Sequence, residues 1–417
     1  MNKKQSQTSI KTDYDILIVG GGMVGASLAV ALMPLGLKVG LVDLYEFGVS
    51  EQPSYDDRSI ALSYGSSRIF EGMDLWESLE PKTTPIKKIH VSDRGHFGAT
   101  RLSAHKEKVP ALGYLVESRI LGKQLYDVLK KSNIEQIIPA SITAIQEVEN
   151  GLEVSLLKGD KELSVTTKLL IGSDGTQSKV RELSGIEFSR SDYNQTAVIA
   201  NISTEKPHNN EASERFAKSG PIALLPLSGN RSSLVWTHDT KNSASDLEET
   251  LALDDEGFLK KLGEEFGYRL GRFTKVGKRT SFPLALVTSD KTTAAHTVII
   301  GNASHTMHPV AGQGLNLALR DVAVLADLIA KHIDNLGASE LLQSYESQRA
   351  GDIKTTVRYT DTLVRLFSND NFLLGHARAG GLLAVDRLPP LRKLFTHQSM
   401  GVNYRQSRLA RGLSLRA

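Results

Sequence analysis

An apolar run from Ile16 continues through Leu32 to Val42 with Lys38 as its only charge, and three lysines precede it. Length and flanks alone match a membrane-spanning or signal segment. Glycines break that reading, because Gly20, Gly21, Gly22, Gly25, Gly36 and Gly40 interrupt the run. "YDILIV" has the length of a buried strand, "ASLAVALMPLG" reads as a small-residue helix ending near Gly36, and "KVGLVD" reads as a second strand. The segment is therefore expected to stay in the mature chain as strand, turn, helix and strand.

Two later apolar runs also end in turns. "LLIGSDGTQSKVR" is a strand entering Asp174-Gly175, with Ser178 and Arg181 on a following helix. "TVIIGNASHTMHPVAGQGLNLALRDVAVLADLI" is a strand, Gly301-Asn302, a His/Pro segment, the turn Gly312-Gln313-Gly314 and an amphipathic helix. Between them, "STEKPHNNEASERFAKSG" reads as a polar loop, followed by the strand-like "PIALLPL" and "SSLVWTH". The region from Thr196 to Leu286 is strand-rich between segments that alternate helix and strand. The pattern predicts an α/β protein (α+β overall) whose nucleotide-binding domain is discontinuous, at 14–190 and 287–385. A β-rich substrate domain, 191–286, is inserted in it, and a tail occupies 386–417. Residues 1–13 are polar and expected to be disordered.

Gly20, Gly22 and Gly25 form G-x-G-x-x-G between a strand and a helix, and Asp43 follows Gly25 by 18 residues. That is the context of a dinucleotide fingerprint. Gly20 permits the tight turn, Gly22 lets backbone N–H groups approach a pyrophosphate, and Gly25 lets helix and strand pack closely. Asp43 would accept hydrogen bonds from ribose hydroxyls.

At 417 residues the chain can build two or three domains, and a net charge of +3 gives no reason to expect nucleic acid as a partner. There is no cysteine, which removes disulfides, thiolate metal sites and the dithiol of disulfide-reductase flavoproteins. A cytoplasmic location fits. Residues 388–417 carry Arg392, Lys393, Arg405, Arg408, Arg411 and Arg416 and no acid. Interleaved with Leu391, Leu394, Phe395 and Leu409, these arginines suit either shallow docking on an anionic inner-membrane face or on partner proteins, or a solvated tail.

The three glycine-marked segments resemble the flavin-dependent aromatic hydroxylases of the p-hydroxybenzoate hydroxylase type, from about Tyr14 to Phe367. Within that superfamily, "DDRSIALSYGS", "ERFAKSGPIALLPL" and "HTMHPVAGQGLNLALRD" resemble the ubiquinone-pathway hydroxylases. "VSDRGH" and "GKRTSFPLAL" are most similar to their 2-polyprenyl-6-methoxyphenol hydroxylase branch. The resemblance implies a Rossmann-like FAD domain in which Gly20, Gly22, Gly25 and Asp43 hold the ADP half. It also implies that Arg58 and Arg119 lie near the pyrophosphate and ribityl chain, and that Asp174 serves both FAD and the reductant. Asn302 stands where the family has an aspartate that bonds a ribityl hydroxyl; its amide oxygen still accepts such a bond, without charge. NADPH or NADH would reduce FAD from a groove, since no second fingerprint is present, and O₂ would supply the oxygen placed on a polyprenyl phenol. Partners would be proteins of a ubiquinone-synthesis complex. The alternatives are another ubiquinone-ring position, a small soluble phenol, or a non-enzymatic prenyl-binding carrier on the same fold.

The stretch Pro309, Gly312, Gln313, Gly314, Leu315 and Asn316 has a physical role of its own. Reduced flavin carries negative charge on its N1 and C2-carbonyl edge, and a helix starting after G-Q-G aims free N–H groups and a positive dipole end there. His305 and His308 are candidate acid/base groups because imidazole titrates near neutrality, with structural roles beside a helix start as the alternative. No metal is expected, since two histidines without a carboxylate cluster are too few ligands. Arg94 and His96 either meet the substrate's phenolic oxygen or solvate a turn, and Trp236 and Phe282 read as core.

Overall fold

The computed structural model describes residues 12–46, 58–95, 98–217, 219–241, 244–367, 372–404 and 406–415. His96, Arg405 and Arg416 lie outside them. From the N-terminus run β1 (Tyr14–Val19), α1 (Met23–Leu32), β2 (Val39–Val42), β3 (Ser59–Ser63), α2 (Tyr64–Gly72), β4 (Lys88–Asp93), β5 (Ala99–Ser103), β6 (Glu135–Ile137) and β7 (Lys161–Gly172). Then follow β8 (Phe188–Thr204), β9 (Glu211–Ala217), β10 (Gly220–Pro226), β11 (Arg231–Asp239), α3 (Asp255–Phe266), β12 (Thr280–Ser289), β13 (Thr297–Ile299), α4 (Gln313–Lys331), α5 (Ser339–Phe367), α6 (Phe372–Arg387) and α7 (Pro389–Met400).

The apolar run at the N-terminus folds as strand, turn and helix. β1 lies between β2 and β7, all parallel, with β13 beyond β7 and β6 beyond β2. Both faces of such a sheet are covered, so Ile16, Leu17, Ile18 and Leu41 need no polar alternation and are fully buried. Among the described residues no helix is long and apolar enough to cross a membrane. Asp13, expected in a disordered leader, instead accepts hydrogen bonds from the Thr166 backbone N–H and hydroxyl.

A second sheet runs β12-β8-β11-β10-β9-β4-β5. It starts at Phe188, ends its β12 at Ser289, and takes β4 and β5 from the N-terminal half, so it reaches beyond the expected 191–286. The stretch expected as a loop holds β9. Its charged residues hid a period of two: Ala212, Glu214 and Phe216 share one face of the strand. Trp236 is core as expected, fully buried with Phe258 and Leu262 of α3, and its indole N–H donates to Ser219 Oγ at 3.0 Å.

The C-terminal residues do not form a free tail. Leu409 and Ala410 are buried in the same core as β1 and α4, and the Arg408 backbone N–H donates to Asp327 at 2.8 Å. The backbone of Met400 and Gly401 passes so close to Gly65 that a side chain there would collide with it. The expectation that Leu409 is available for docking is corrected by this packing.

Candidate active site

The turn between β1 and α1 is built as the glycine spacing predicts. Gly20 has φ +101° and lies against the backbone of Ser173, while a Cβ on Gly25 would strike the Gly20 carbonyl. Ser173, leading into Asp174, donates its hydroxyl to Gly20 O at 2.8 Å, so the first and second glycine-marked segments are tied directly. Gly22 caps α1 with an ordinary φ of −62°, so its use is close approach rather than unusual backbone. Asp43 accepts from the Gly21 N–H at 2.5 Å and the Tyr45 N–H at 2.9 Å. Burial raises its pKa even against those two bonds.

Asp174 caps the short helix after it, accepting from Ser178 Oγ at 2.5 Å and Lys179 N at 2.7 Å. The nearly buried Arg181 donates to Ala303 O at 2.8 Å and Thr176 O at 2.9 Å, joining this segment to Gly301–Ala303. Asn302 is exposed on the cavity wall, and its turn is held from behind by Asp321, which accepts from Gly301 N at 3.0 Å.

The third segment forms the start of α4. Gly312 has φ +61°, and Gly314, one turn position on, has no atom within 4 Å of where a Cβ would stand. That open side belongs to the cavity. The first N–H groups of a helix have no intrahelical acceptor, so this end of α4 presents donors and positive potential to it. Asn316 uses its whole amide on the protein: Oδ1 accepts from Ser63 N and Ser66 Oγ, and Nδ2 donates to Ala61 O and Gly312 O, at 2.6–2.8 Å. It fixes β3 and α2 against the turn. Gln313 is buried and off the cavity wall, whereas Pro309 and Leu315 are on it.

The two candidate histidines separate. His305 is buried behind the wall with Nε2 at 2.7 Å from Asp321. His308 reaches the wall, but Nε2 meets Gln195 Oε1 at 3.1 Å and Nδ1 accepts the Val310 N–H at 3.1 Å. Burial pushes His308 down to about 4, so it is neutral at physiological pH with both nitrogens engaged. Arg58 lies on the wall 5.1 Å from the centre of the Phe282 ring, so Phe282 also faces the cavity rather than the core. Arg119 is off the wall, with Nε 2.8 Å from Glu117. Arg94 pairs with Glu265 away from the cavity.

One cavity of about 1400 Å³ runs from this three-segment site to the inner face of the second sheet. That exceeds the ~300–1,000 Å³ of usual ligand pockets and leaves room for a second molecule beside a dinucleotide. The pleat supplies its far wall. Register places Val91, Glu214, Ala223 and Val235 in one row across β4, β9, β10 and β11, all facing inward. Leu382 of α6 and Phe395 of α7 close the opposite side. The residues missed from sequence are Glu214, Tyr359, Asp321 and Arg349. No sequence signal marked Glu214, because the two faces of β9 differ too little to show its register.

The geometry fits FAD: bare glycine backbone at the first turn, an acid at the end of β2, and an open helix start over the cavity. The comparisons agree. A family described as FAD binding domain matches residues 13–360. The chain is 38% identical to ubiquinone hydroxylase UbiL of Rhodospirillum rubrum, over 96% of this chain and 93% of that protein. It is 29% identical to 3-demethoxyubiquinol 3-hydroxylase of Escherichia coli, over 93% and 98% of the two chains. The structure of p-nitrophenol 4-monooxygenase PnpA from Pseudomonas putida matches the fold with a TM-score of 0.78 at 14% identity, over 95% of this chain and 100% of that one. The chain thus belongs to the FAD-binding aromatic monooxygenases, within the group of ubiquinone hydroxylases, and works with FAD, O₂ and a nicotinamide reductant.

Proposed function

We propose that the chain hydroxylates the ring of a polyprenylated methoxyphenol, giving the hydroquinone pattern, in ubiquinone synthesis. The observation that carries this reading is the continuity of one cavity from the dinucleotide turn to a wall of Val, Ala, Leu and Phe side chains. FAD, when bound, supplies the reduction of O₂ and the electrophilic oxygen. The chain's residues do the rest. Gly20, Gly22 and Gly25 admit the pyrophosphate, Asp43 receives ribose hydroxyls, and Asn302 receives a ribityl hydroxyl. The start of α4 stabilises negative charge next to Gly314, while the apolar wall orients the ring and excludes the water that would divert activated oxygen to peroxide.

Purified enzyme with NADPH, ¹⁸O₂ and a short-chain prenyl methoxyphenol is expected to place one labelled atom on the ring, read by mass spectrometry. Label confined to water and hydrogen peroxide, with efficient hydroxylation of a soluble hydroxybenzoate instead, replaces this substrate class by the small-phenol one.

The exposed Leu388, Leu391 and Leu394 support a peripheral membrane contact at α7, where Arg392 and Lys393 add positive charge. Leu391 also lines the cavity, which gives a prenyl tail a short path from lipid to site. Proteins of a quinone-synthesis complex are the partners this face would meet beside the lipid. Replacing Leu388 and Leu394 with serine is expected to weaken sedimentation with anionic vesicles about 10-fold, from ~0.8 kcal/mol per buried CH₂ discounted for shallow insertion. Unchanged sedimentation removes α7 as the docking element.

A further inference from the structure

Glu214 sits in the middle of the cavity's apolar wall. Across the sheet it is paired with Val91 on one side and Ala223 on the other, and Val91 packs with Phe216, Leu363 and Leu382. Asp43 and Asp174, the other carboxylates on the wall, are both bonded to backbone N–H groups. Among the described residues the Glu214 carboxyl has no hydrogen-bond or ion-pair partner. An acid held without a partner in an apolar chamber is costly to the fold, and such groups mark sites where chemistry needs them.

The elements packed around it bring one titratable group. Tyr359 of α5 lies close enough for the Glu214 charge to push its phenol up, and its Oη is hydrogen-bonded to Ser399 of α7. Phe395 of α7 meets Tyr359 edge-on with ring centres 6.0 Å apart. From α6, Leu382 and Val385 face the cavity, and from β4 and β10 come Val91 and Ala223; none carries charge.

We propose that Glu214 is a catalytic residue that receives the phenolic hydroxyl of the substrate and takes its proton as the ring is attacked. This rests on the phenol-hydroxylase reading and adds the acceptor that reading lacks. In the step, the phenol O–H bond breaks, the proton forms an O–H bond on the Glu214 carboxylate, and the electron pair left on oxygen flows into the ring. No electron enters or leaves the pair in this transfer. When the attacked ring carbon later loses its own proton to water, the ring oxygen takes the proton back from Glu214. Burial raises the Glu214 carboxyl to about 7, which places a base of useful strength at physiological pH. Tyr359, raised well above the ordinary phenol range by its own burial and then by Glu214, stays protonated and donates no competing charge.

The test uses FAD-loaded wild-type enzyme, Glu214→Gln, Glu214→Asp and Tyr359→Phe, with NADPH and a short-chain prenyl methoxyphenol. For wild type, kcat/KM for ring hydroxylation should rise with pH through an inflection near 7. Glu214→Gln should lose that inflection and about 10²- to 10⁴-fold in kcat/KM, while FAD content stays full and NADPH oxidation continues with release of hydrogen peroxide. Glu214→Asp should restore the inflection in part, and Tyr359→Phe should keep it. A second readout separates chemistry from folding. Because the carboxyl is raised above its unfolded value, wild type loses stability as pH rises from about 5 to 8, so Glu214→Gln should melt at or above the wild-type Tm at pH 8. A Gln variant with wild-type kcat/KM and an unmoved inflection overturns the assignment alone. Wild-type enzyme that binds FAD but oxygenates no phenol overturns the underlying reading and the assignment with it.

Discussion

Gly314→Val is expected to give a folded protein that purifies without flavin. The Cβ position at Gly314 is open because it faces the cavity, so valine meets no protein atom there and perturbs the apo-fold only through helix propensity, by under about 1 kcal/mol. The same branched side chain projects into the volume where the start of α4 would approach an isoalloxazine. Overpacking of about 1–3 kcal/mol converts to a loss of roughly 10- to 100-fold in FAD affinity. Gly25→Ala is the contrast. Its Cβ would strike the Gly20 carbonyl and lie 2.5 Å from Ser173 Oγ, both in the packed interior of the fold. A loss of about 3 kcal/mol in apo-stability is expected there. Flavin absorbance of the purified variants, with urea unfolding of the apo forms, checks both. A Gly314→Val protein with full flavin content contradicts the placement of the cofactor over α4.

Asp321→Asn is expected to be the most destabilising single change in the nucleotide half. Asp321 is fully buried and its two oxygens receive Arg349 Nε at 2.7 Å, His305 Nε2 at 2.7 Å and Gly301 N at 3.0 Å. Arg349 continues to Asp352, which also holds Arg320 at 2.7 Å, so the charges form a chain between α4 and α5. Burial alone would raise the Asp321 carboxyl, but Arg349 and then His305 hold it down at about 2. Removing its charge leaves the buried Arg349 and Arg320 sharing the single carboxylate of Asp352, with an expected loss of about 3–5 kcal/mol at pH 7. The depressed pKa also sets a pH signature. The contribution is complete above the unfolded value of 3.8 and disappears as pH falls toward 2, a range worth about 2 kcal/mol. Urea unfolding at pH 7 and across pH 2–5 should show both effects in wild type and a flatter acid limb in the variant. Loss of the bond to Gly301 N should also weaken FAD binding, because Asn302 rides on that turn. An Asp321→Asn protein as stable as wild type at pH 7 rejects the network's role.

What could be read from the residues beforehand divides along a physical line. β1, α1 and β2 were legible because glycine at Gly20 and Gly25 answers to steric contacts that no other residue tolerates, and because strands buried on both faces appear as unbroken apolar runs. Gly312 was legible because its φ of +61° favours glycine, and Gly314 because bare backbone there leaves the start of α4 open to the cavity. β9 was not, since its inward positions carry Ala212, Glu214 and Phe216, a sequence with too little contrast between faces to show a period of two. Arg119 and Gln313 are one residue from well-placed neighbours, Ser118 and Gly314, yet point away from the cavity, a distinction fixed by register rather than by spacing. His305 and His308 looked alike as titratable groups; only tertiary contacts show that one answers to Asp321 and the other to Gln195. The tail was misjudged because its charge is visible locally while its acceptors are distant. Arg68 donates to Arg411 O, and Asp327 accepts from Arg408 N, 81 positions away.

The position of β1 has a consequence for the order in which the protein is made. β1 and α1 leave the ribosome well ahead of their partners: β7 ends at residue 172, β13 at residue 299, and Leu409 and Ala410 follow later still. At elongation rates of roughly 5–20 residues per second, this apolar segment waits on the order of 20–80 s for Leu409 and Ala410. Residues 409–415 can close over α2 only after they too have left the ribosome. The segment that most resembles a membrane signal is thus also the one the nascent chain must shelter longest.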